Sequence, residues 1–149
     1  MKFYYDKSWN IEVSTAVGKI KLLVDTGASF TSLSVFSLSK LLNTDCEYLK
    51  SVLVSKGSIT CKTISNHTIK LYPLVLPKIL VGDSLFPEFN CLVSLDENFI
   101  SVLGRDVLQC GITTLQFKQL GQCSPFDYSL YREQFKDRPV NTLAFLDYT

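Results

Sequence analysis

The residues at 25–27 are of types that can perform acid–base chemistry. An apolar run at 22–24 leads directly into Asp25, Thr26 and Gly27. A carboxylate at the end of a buried strand lies at the edge of the core, where burial can change its protonation and a reacting group can reach it. Glycine lets the backbone turn tightly and approach a ligand. Asp, Thr and Gly are also common in ordinary turns, so this segment alone leaves a catalytic loop and a simple turn open.

A second segment, at 99–108, favours the catalytic loop over the simple turn. Its apolar residues end at Leu103, Gly104 follows, and Arg105 opens a predicted short helix. In this order the two segments resemble those of the retropepsin-like aspartic proteases. That family has an apolar strand leading into Asp-Thr-Gly-Ala or a close variant, and later an apolar-apolar-Gly segment followed by a short helix. The resemblance covers about residues 9–118. Its matching residues are Leu23-Val24-Asp25-Thr26-Gly27-Ala28 and Val102-Leu103-Gly104-Arg105-Asp106.

The resemblance implies a mainly β fold, a single-lobe barrel of the retropepsin type, in which two chains join to form one active site. Asp25 of each chain would supply one carboxylate of a catalytic pair. Thr26, Gly27 and Ala28 would support the loop that carries this carboxylate. The implied structural partners of that loop are Leu103, Gly104 and Arg105, and the implied substrate-binding residues of a flap are Ser65, Asn66 and His67.

The implied activity is that of a homodimeric aspartic endopeptidase that hydrolyses extended peptides without a metal or an organic cofactor. Two carboxylates about 3 Å apart cannot both ionise, so they share a proton. The ionised carboxylate acts as the base on a water molecule, and the protonated one donates a hydrogen bond to the scissile carbonyl. The chain has one Asp-[Thr/Ser]-Gly, since Asp83-Ser84 is followed by Leu85. We therefore expect the partner to be a second copy and the substrate to be a polypeptide.

Two other functions are compatible with the same residues. An intact motif is necessary for catalysis but not sufficient, so the chain could be a catalytically silent dimeric module of the same fold that binds extended peptide by strand addition. The C-terminal extension at 121–149 lies beyond the matched region and could instead block assembly, as in a zymogen. Peptide cleavage that depends on Asp25 separates the endopeptidase from the binding module.

Two features depart from the best-known viral members of the family. Those members have an acidic residue after the Gly-Ala pair, where this chain has Ser29. The acid pairs there with the later arginine, so Arg105 is expected to find another partner, either Asp106 or another carboxylate. The segment at 63–70, which resembles the flap hairpin, lacks a glycine-rich tip.

Composition excludes several other functions. The 149 residues carry 15 Lys and Arg against 14 Asp and Glu, and a net charge of +1 gives little attraction for nucleic acid. The one histidine, His67, excludes a site built on two histidines from one chain, and none of the five cysteines is in Cys-x-x-Cys spacing, so no metal site is indicated. No apolar run approaches the ~18 residues of a membrane span. The cysteine pattern and the polar N-terminus lead us to expect an intracellular, cytoplasmic protein.

Apolar periodicity predicts one mainly β domain over 1–149, with one to three short helices. Alternation at 9–14 and 20–24 predicts a hairpin whose second strand enters the core. Ser34 is the predicted N-cap of a helix over 35–42, and the segment at 47–58 stays ambiguous. Further strands are predicted at 58–63, 68–76, 79–83 (ending in a turn), 89–95, 99–103, 113–118 and 140–146, and further helices at 105–109 and 125–135.

Overall fold

The computed structural model describes residues 9–63 and 65–111, which belong to one compact unit. These residues form seven strands and three helices. In chain order the elements are β1 (Asn10–Ser14), β2 (Lys19–Val24), β3 (Ser32–Ser34), α1 (Val35–Leu42), α2 (Cys46–Lys56), β4 (Ile59–Lys62), β5 (Thr68–Val81), β6 (Ser84–Ser94), β7 (Val102–Leu103) and α3 (Arg105–Leu108).

The strands are hydrogen-bonded in the order β1-β2-β7-β3-β6-β5-β4. β1 and β2 form an antiparallel hairpin in which Val13 lies opposite Ile20. β2 pairs in parallel with β7, so that Val24 lies opposite Leu103. β1 also pairs with β5, which links six strands edge to edge in a ring. The prediction of a mainly β fold is confirmed, but the described strands do not stand evenly round one axis and are not assigned as a barrel.

The long hairpin of β5 and β6 differs from the prediction. β5 runs unbroken from Thr68 to Val81 through Pro73 and Pro77, where the sequence predicts two strands at 68–76 and 79–83, and β6 begins at Ser84 rather than near 89. Proline lacks the N–H that a strand donates to a neighbour. β4 and β1 pair only with the two ends of β5. Both prolines therefore lie where β5 pairs with β6 alone, and the other edge of β5 needs no donor there.

The two longer helices each begin at a side chain that caps the first turn. Ser34 Oγ accepts a hydrogen bond from a backbone N–H at the start of α1, which confirms the predicted helix and its N-cap. Asp45 does the same for α2, which occupies the segment that the sequence leaves ambiguous. The apolar periodicity of α2 is weak because its buried residues are Leu49 and Leu53 only.

The core packs α1 against the sheet and holds the strands that lead to the two motifs, at 25–28 and 103–105. Leu22 of β2 and Leu103 of β7 are both fully buried. Removing apolar surface from water is the main favourable term in folding. Because these two strands end at Asp25 and Gly104, burial of their side chains sets where both segments leave the core. The other fully buried side chains include Ile11, Val13, Leu33, Val35, Leu38, Leu41, Phe89 and Val93.

Several predictions concern residues outside the described part of the chain. These are the strands at 113–118 and 140–146, the helix at 125–135, the extension at 121–149, and the expectation of a single domain over 1–149. Among residues 9–63 and 65–111, no helix is long and apolar enough to cross a membrane.

Leu38→Ala should destabilise the fold, because the Leu38 side chain is fully buried in α1 and its truncation leaves a cavity. The expected loss in free energy of unfolding is about 2–5 kcal/mol, measured by urea denaturation. Leu85→Ala makes the same chemical change where 61% of the residue is exposed, and it should cost less than about 1 kcal/mol. Equal losses at the two positions would contradict this placement of the core.

Candidate active site

Asp25 lies where β2 leaves the sheet. Its N–H donates to the Leu103 carbonyl at 3.0 Å, which continues the parallel pairing of β2 with β7. The turn that follows closes on Asp25 itself, since Gly27 N–H donates to Oδ1 at 2.9 Å and Ala28 N–H donates to the carbonyl at 3.2 Å. Asp25 is half-buried, and Thr26 and Gly27 are exposed. The carboxylate is thus held by its own loop and is still accessible.

The second motif is hydrogen-bonded to this loop. Arg105 N–H donates to the Ala28 carbonyl at 2.8 Å. Gly104 is buried and lies so close to the chain at 30–31 that a Cβ built on it would be 2.5 Å from the Phe30 carbonyl carbon. Only glycine fits there, because the neighbour is backbone and cannot move aside as the tip of a side chain can. The structure therefore brings together the loop at 25–28 and the segment at 103–105.

Thr31 and Asp106 join the two segments and were not singled out as a pair from the sequence. Thr31 is fully buried, and both its N–H and its hydroxyl donate to Asp106 Oδ1, at 2.9 and 2.7 Å. The Thr31 hydroxyl in turn accepts a hydrogen bond from Gly104 N–H at 3.0 Å. A buried hydroxyl needs a partner, but nothing in the sequence indicates a partner 75 residues away. A series of hydrogen bonds from Gly104 through Thr31 to Asp106 thus connects the two segments of the site.

The expectation that Arg105 pairs with Asp106 or another carboxylate is not met among the described residues. Its guanidinium Nη2 donates to Ser29 Oγ at 2.9 Å. Asp106 instead accepts through Oδ1 from Thr31 and from Val107 N–H at 2.9 Å. Among residues 9–63 and 65–111, no carboxylate forms an ion pair with Arg105. A neutral hydroxyl therefore takes the place that the family resemblance assigns to an acid.

The residues predicted to form a flap lie at the exposed tip of the β4–β5 hairpin. Thr63 N–H donates to the His67 carbonyl at 2.9 Å, and Asn66 takes a left-handed conformation at φ +63°, which asparagine tolerates better than most residues. Ser65, Asn66 and His67 are all exposed. The structure therefore places the three residues together on the hairpin tip, with no hydrogen bond to the Asp25 loop among the described residues.

A concavity of about 360 Å³ borders the chain just beyond Ser29. Phe30, of which 60% is exposed, forms part of its wall. The lining is largely apolar, which suits the side chain of an apolar ligand. Sequence reasoning did not find this feature, because it depends on how the β5–β6 hairpin packs beside the loop. The remaining lining residues are Thr31, Lys56, Pro73, Leu74, Val75, Asn90, Cys91, Leu92 and Asp106.

Cys91, which lies against this concavity, is a packing residue. Burial raises the pKa of its thiol to about 12, and the negative charge of Asp106 acts in the same direction. A thiol with such a pKa stays protonated near neutral pH and is a poor nucleophile. Among the described residues, no group of three or more His, Cys, Asp or Glu side chains is arranged to hold a metal ion.

The sequence matches no protein-family model and no curated protein. The structure is similar to that of a retropepsin-like aspartic protease from Rickettsia conorii, with a TM-score of 0.55 and 24% sequence identity over 78% of this chain and 90% of that chain. The chain has a retropepsin-like fold. Within this retropepsin-like fold, the loop at 25–31 and the segment at 101–106 form one hydrogen-bonded unit.

Gly104→Ala should destabilise the retropepsin-like fold, because the new Cβ would lie 2.7 Å from the Phe30 carbonyl oxygen and 2.9 Å from the Thr31 nitrogen. The expected loss in free energy of unfolding is about 1–3 kcal/mol, measured by urea denaturation. Gly111→Ala is the matched control, since no atom of residues 9–63 and 65–111 lies within 4 Å of a Cβ there. An unfolding midpoint for Gly104→Ala equal to that of the control would contradict the close approach.

Thr31→Val keeps the volume of the side chain and removes its hydroxyl. The buried Gly104 N–H then loses its acceptor and Asp106 loses a donor, so the free energy of unfolding should fall by about 1–3 kcal/mol. Thr31→Ser keeps the hydroxyl and removes one methyl group, so it should cost less. Chemical denaturation of the three proteins gives the comparison, and a serine variant less stable than the valine variant would show that the hydroxyl is unimportant.

Proposed function

We propose that this protein is a homodimeric aspartic endopeptidase, with Asp25 of each chain as one half of the catalytic pair. One observation carries the proposal. Asp25 stands half-buried at the end of a core strand, on a loop that the segment at 103–105 holds by two backbone hydrogen bonds. The retropepsin-like fold supports it, because a structure with this fold is that of an aspartic protease. Rigid placement of an accessible carboxylate is what acid–base catalysis needs.

The dimer supplies the second carboxylate. Asp25-Thr26-Gly27 occurs once in the sequence, so a single chain has one such loop. Thr26 and Gly27 are exposed beside Asp25, and this leaves them available to a second copy. In a two-fold dimer the same loop meets itself, which brings two Asp25 side chains together. Thr26 would then stabilise the paired loops, and the backbone of Gly27 would contact the bound peptide.

The proposed chemistry needs no cofactor. Two carboxylates about 3 Å apart hold one proton between them, and they titrate as a unit. The ionised carboxylate removes a proton from a water molecule, whose oxygen bonds to the scissile carbonyl carbon, while the protonated carboxylate gives its proton to the carbonyl oxygen. The tetrahedral intermediate then breaks its C–N bond as a proton passes to the leaving nitrogen. The products are a carboxylic acid and an amine.

The peptide would bind in extended form between the loop and the β4–β5 hairpin. In this proposal the tip at Ser65, Asn66 and His67 closes over the peptide as a flap. An extended strand offers its main-chain groups to a hairpin and its side chains to pockets. The apolar concavity beside Phe30 supports a preference for apolar side chains.

Asp25→Asn should abolish cleavage of a broad peptide library, read by mass spectrometry from mildly acidic to neutral pH. Asparagine keeps an oxygen that can accept from Gly27 N–H, so the loop is retained while the shared proton is lost. The rate of cleavage should fall by about 10²–10⁴-fold or more. Asp83→Asn makes the same change on an exposed turn and should leave the rate unchanged.

The oligomeric state is measured in the assay buffer, so that catalysis is tested on the dimer. Cleavage that survives Asp25→Asn would contradict the proposal. A dimer that cleaves nothing would contradict it as well. Peptide binding without turnover, unchanged by Asp25→Ala, would identify a binding module of the same fold instead.

A further inference from the structure

Arg105 carries a positive charge that the described part of the chain does not neutralise. The residue is exposed, and its guanidinium is fixed by one hydrogen bond from Nη2 to the neutral Ser29 hydroxyl at 2.9 Å. Its backbone is fixed too, since its N–H donates to Ala28 and its carbonyl accepts from Gln109 N–H at 2.8 Å. A guanidinium has five N–H donors in a planar fork. Among residues 9–63 and 65–111, only Ser29 accepts from that fork, so most of its donors remain available to a ligand.

No hydrogen bond or ion pair joins either nearby acid to this fork in the described part of the chain. Asp106, the next residue, directs Oδ1 to Thr31 and to Val107 N–H. Asp25 has Oδ1 engaged by Gly27 N–H within its own turn. Neither of the ion pairs among residues 9–63 and 65–111 includes Arg105. A carboxylate from outside the chain is the complementary ligand, because it matches the planar fork with two parallel hydrogen bonds.

The position of Arg105 relates this charge to the reacting bond. Ser29 follows Asp25 by four residues, so their Cα atoms are at most about 14 Å apart. An extended peptide advances about 3.3 Å per residue. A peptide side chain that reaches the fork therefore belongs to a residue within about four positions of the bond cleaved at Asp25.

We propose that Arg105, oriented by Ser29, binds the carboxylate of an acidic residue in the substrate and so sets a preference for peptides with Asp or Glu near the scissile bond. This inference rests on the proposed function, since it takes Asp25 as the centre of cleavage. A two-fold dimer presents one Arg105 from each copy, so the preference extends to both sides of the bond. Serine at 29 makes the preference possible, because an acid there would neutralise the fork internally.

The test uses the full-length dimer and pairs of peptides that differ only in Glu or Gln. The peptides have an apolar pair at the cleaved bond, and the Glu or Gln is placed at each of the four positions on either side. The wild type should cleave the Glu peptide about two- to fivefold faster in kcat/KM at one or more of these positions, as expected for an exposed ion pair. The preference should shrink as salt is added.

Four variants assign the preference to the fork. Arg105→Gln should bring the Glu-to-Gln ratio to about one, and Arg105→Lys should keep part of it because the charge remains. Ser29→Asp keeps Arg105 but supplies a carboxylate within the chain, so the ratio should also fall to about one. Arg105→Glu should reverse the preference in favour of Lys peptides. Thermal unfolding and the oligomeric state are recorded for each variant, and only folded dimers are compared.

Several results would overturn the inference. If the wild type cleaves the Glu and Gln peptides with equal kcat/KM at every position, the inference is wrong and the proposed function stands. A preference for Glu that persists in both Arg105→Gln and Ser29→Asp would assign it to another residue. Loss of the dimer in Arg105→Gln, with an unchanged ratio in the dimer that remains at high concentration, would mean that the fork pairs with the second copy.

A binding measurement keeps the two proposals distinguishable. Fluorescence anisotropy of the same labelled Glu and Gln peptides is measured on Asp25→Asn, which holds peptide without cutting it. The Glu peptide should bind more tightly than the Gln peptide, and the double variant Asp25→Asn with Arg105→Gln should lose this difference. That result would assign binding of the acidic residue to Arg105 even if the wild type shows no turnover. Absence of both cleavage and binding would overturn the proposed function together with this inference.

Discussion

The structure depends on one hydrogen-bonded connection between two segments that are far apart in sequence. Gly104 N–H donates to the Thr31 hydroxyl, which donates to Asp106 Oδ1. All three groups are buried or half-buried, and buried hydrogen bonds are costly to leave unmade. The connection therefore tolerates neither a larger residue at Gly104 nor the loss of the hydroxyl at Thr31. It fixes the two ends of the strands that meet beside Asp25.

Through this connection, the packing of the core fixes the position of the Asp25 loop. Burial of Leu22 and Leu103 holds β2 and β7 side by side. The Asp25 N–H extends that pairing by one residue, and the loop then closes on its own carboxylate. A catalytic group is useful only when its surroundings hold it in place. In this chain the loop that bears Asp25 is part of the folded core region, whereas the tip at 65–67 is exposed and held mainly by its own hairpin.

Local signals in the sequence predicted a large part of this arrangement. Apolar alternation gave the hairpin of β1 and β2, and Ser34 gave the start of α1, because both depend on neighbouring residues. The two chemical motifs were recognised by their order. Their direct contact depends on the parallel pairing of β2 with β7. No pattern of neighbouring residues predicts that pairing.

The features that escaped prediction all depend on distant residues. β3 is three residues long and is a strand only because β6 and β7 flank it. β5 continues through Pro77, beyond the predicted end at residue 76, because its second edge is unpaired there. The partner of Arg105 was expected to be an acid, and the hydroxyl of Ser29 took that place. In each case the deciding neighbour lies many positions away, so no local pattern could reveal it.

In the proposed function, two chains that each give one Asp25 make one catalytic centre. The most direct test mixes wild-type chains with Asp25→Asn chains at fixed total concentration and lets the dimers exchange before peptide cleavage is measured. Since a mixed dimer has one carboxylate, an equal mixture should keep about a quarter of the wild-type activity, which is the share of wild-type pairs in a two-fold dimer that forms at random. Activity of about half, in proportion to the wild-type chains, would show that each chain acts alone and would contradict the shared centre.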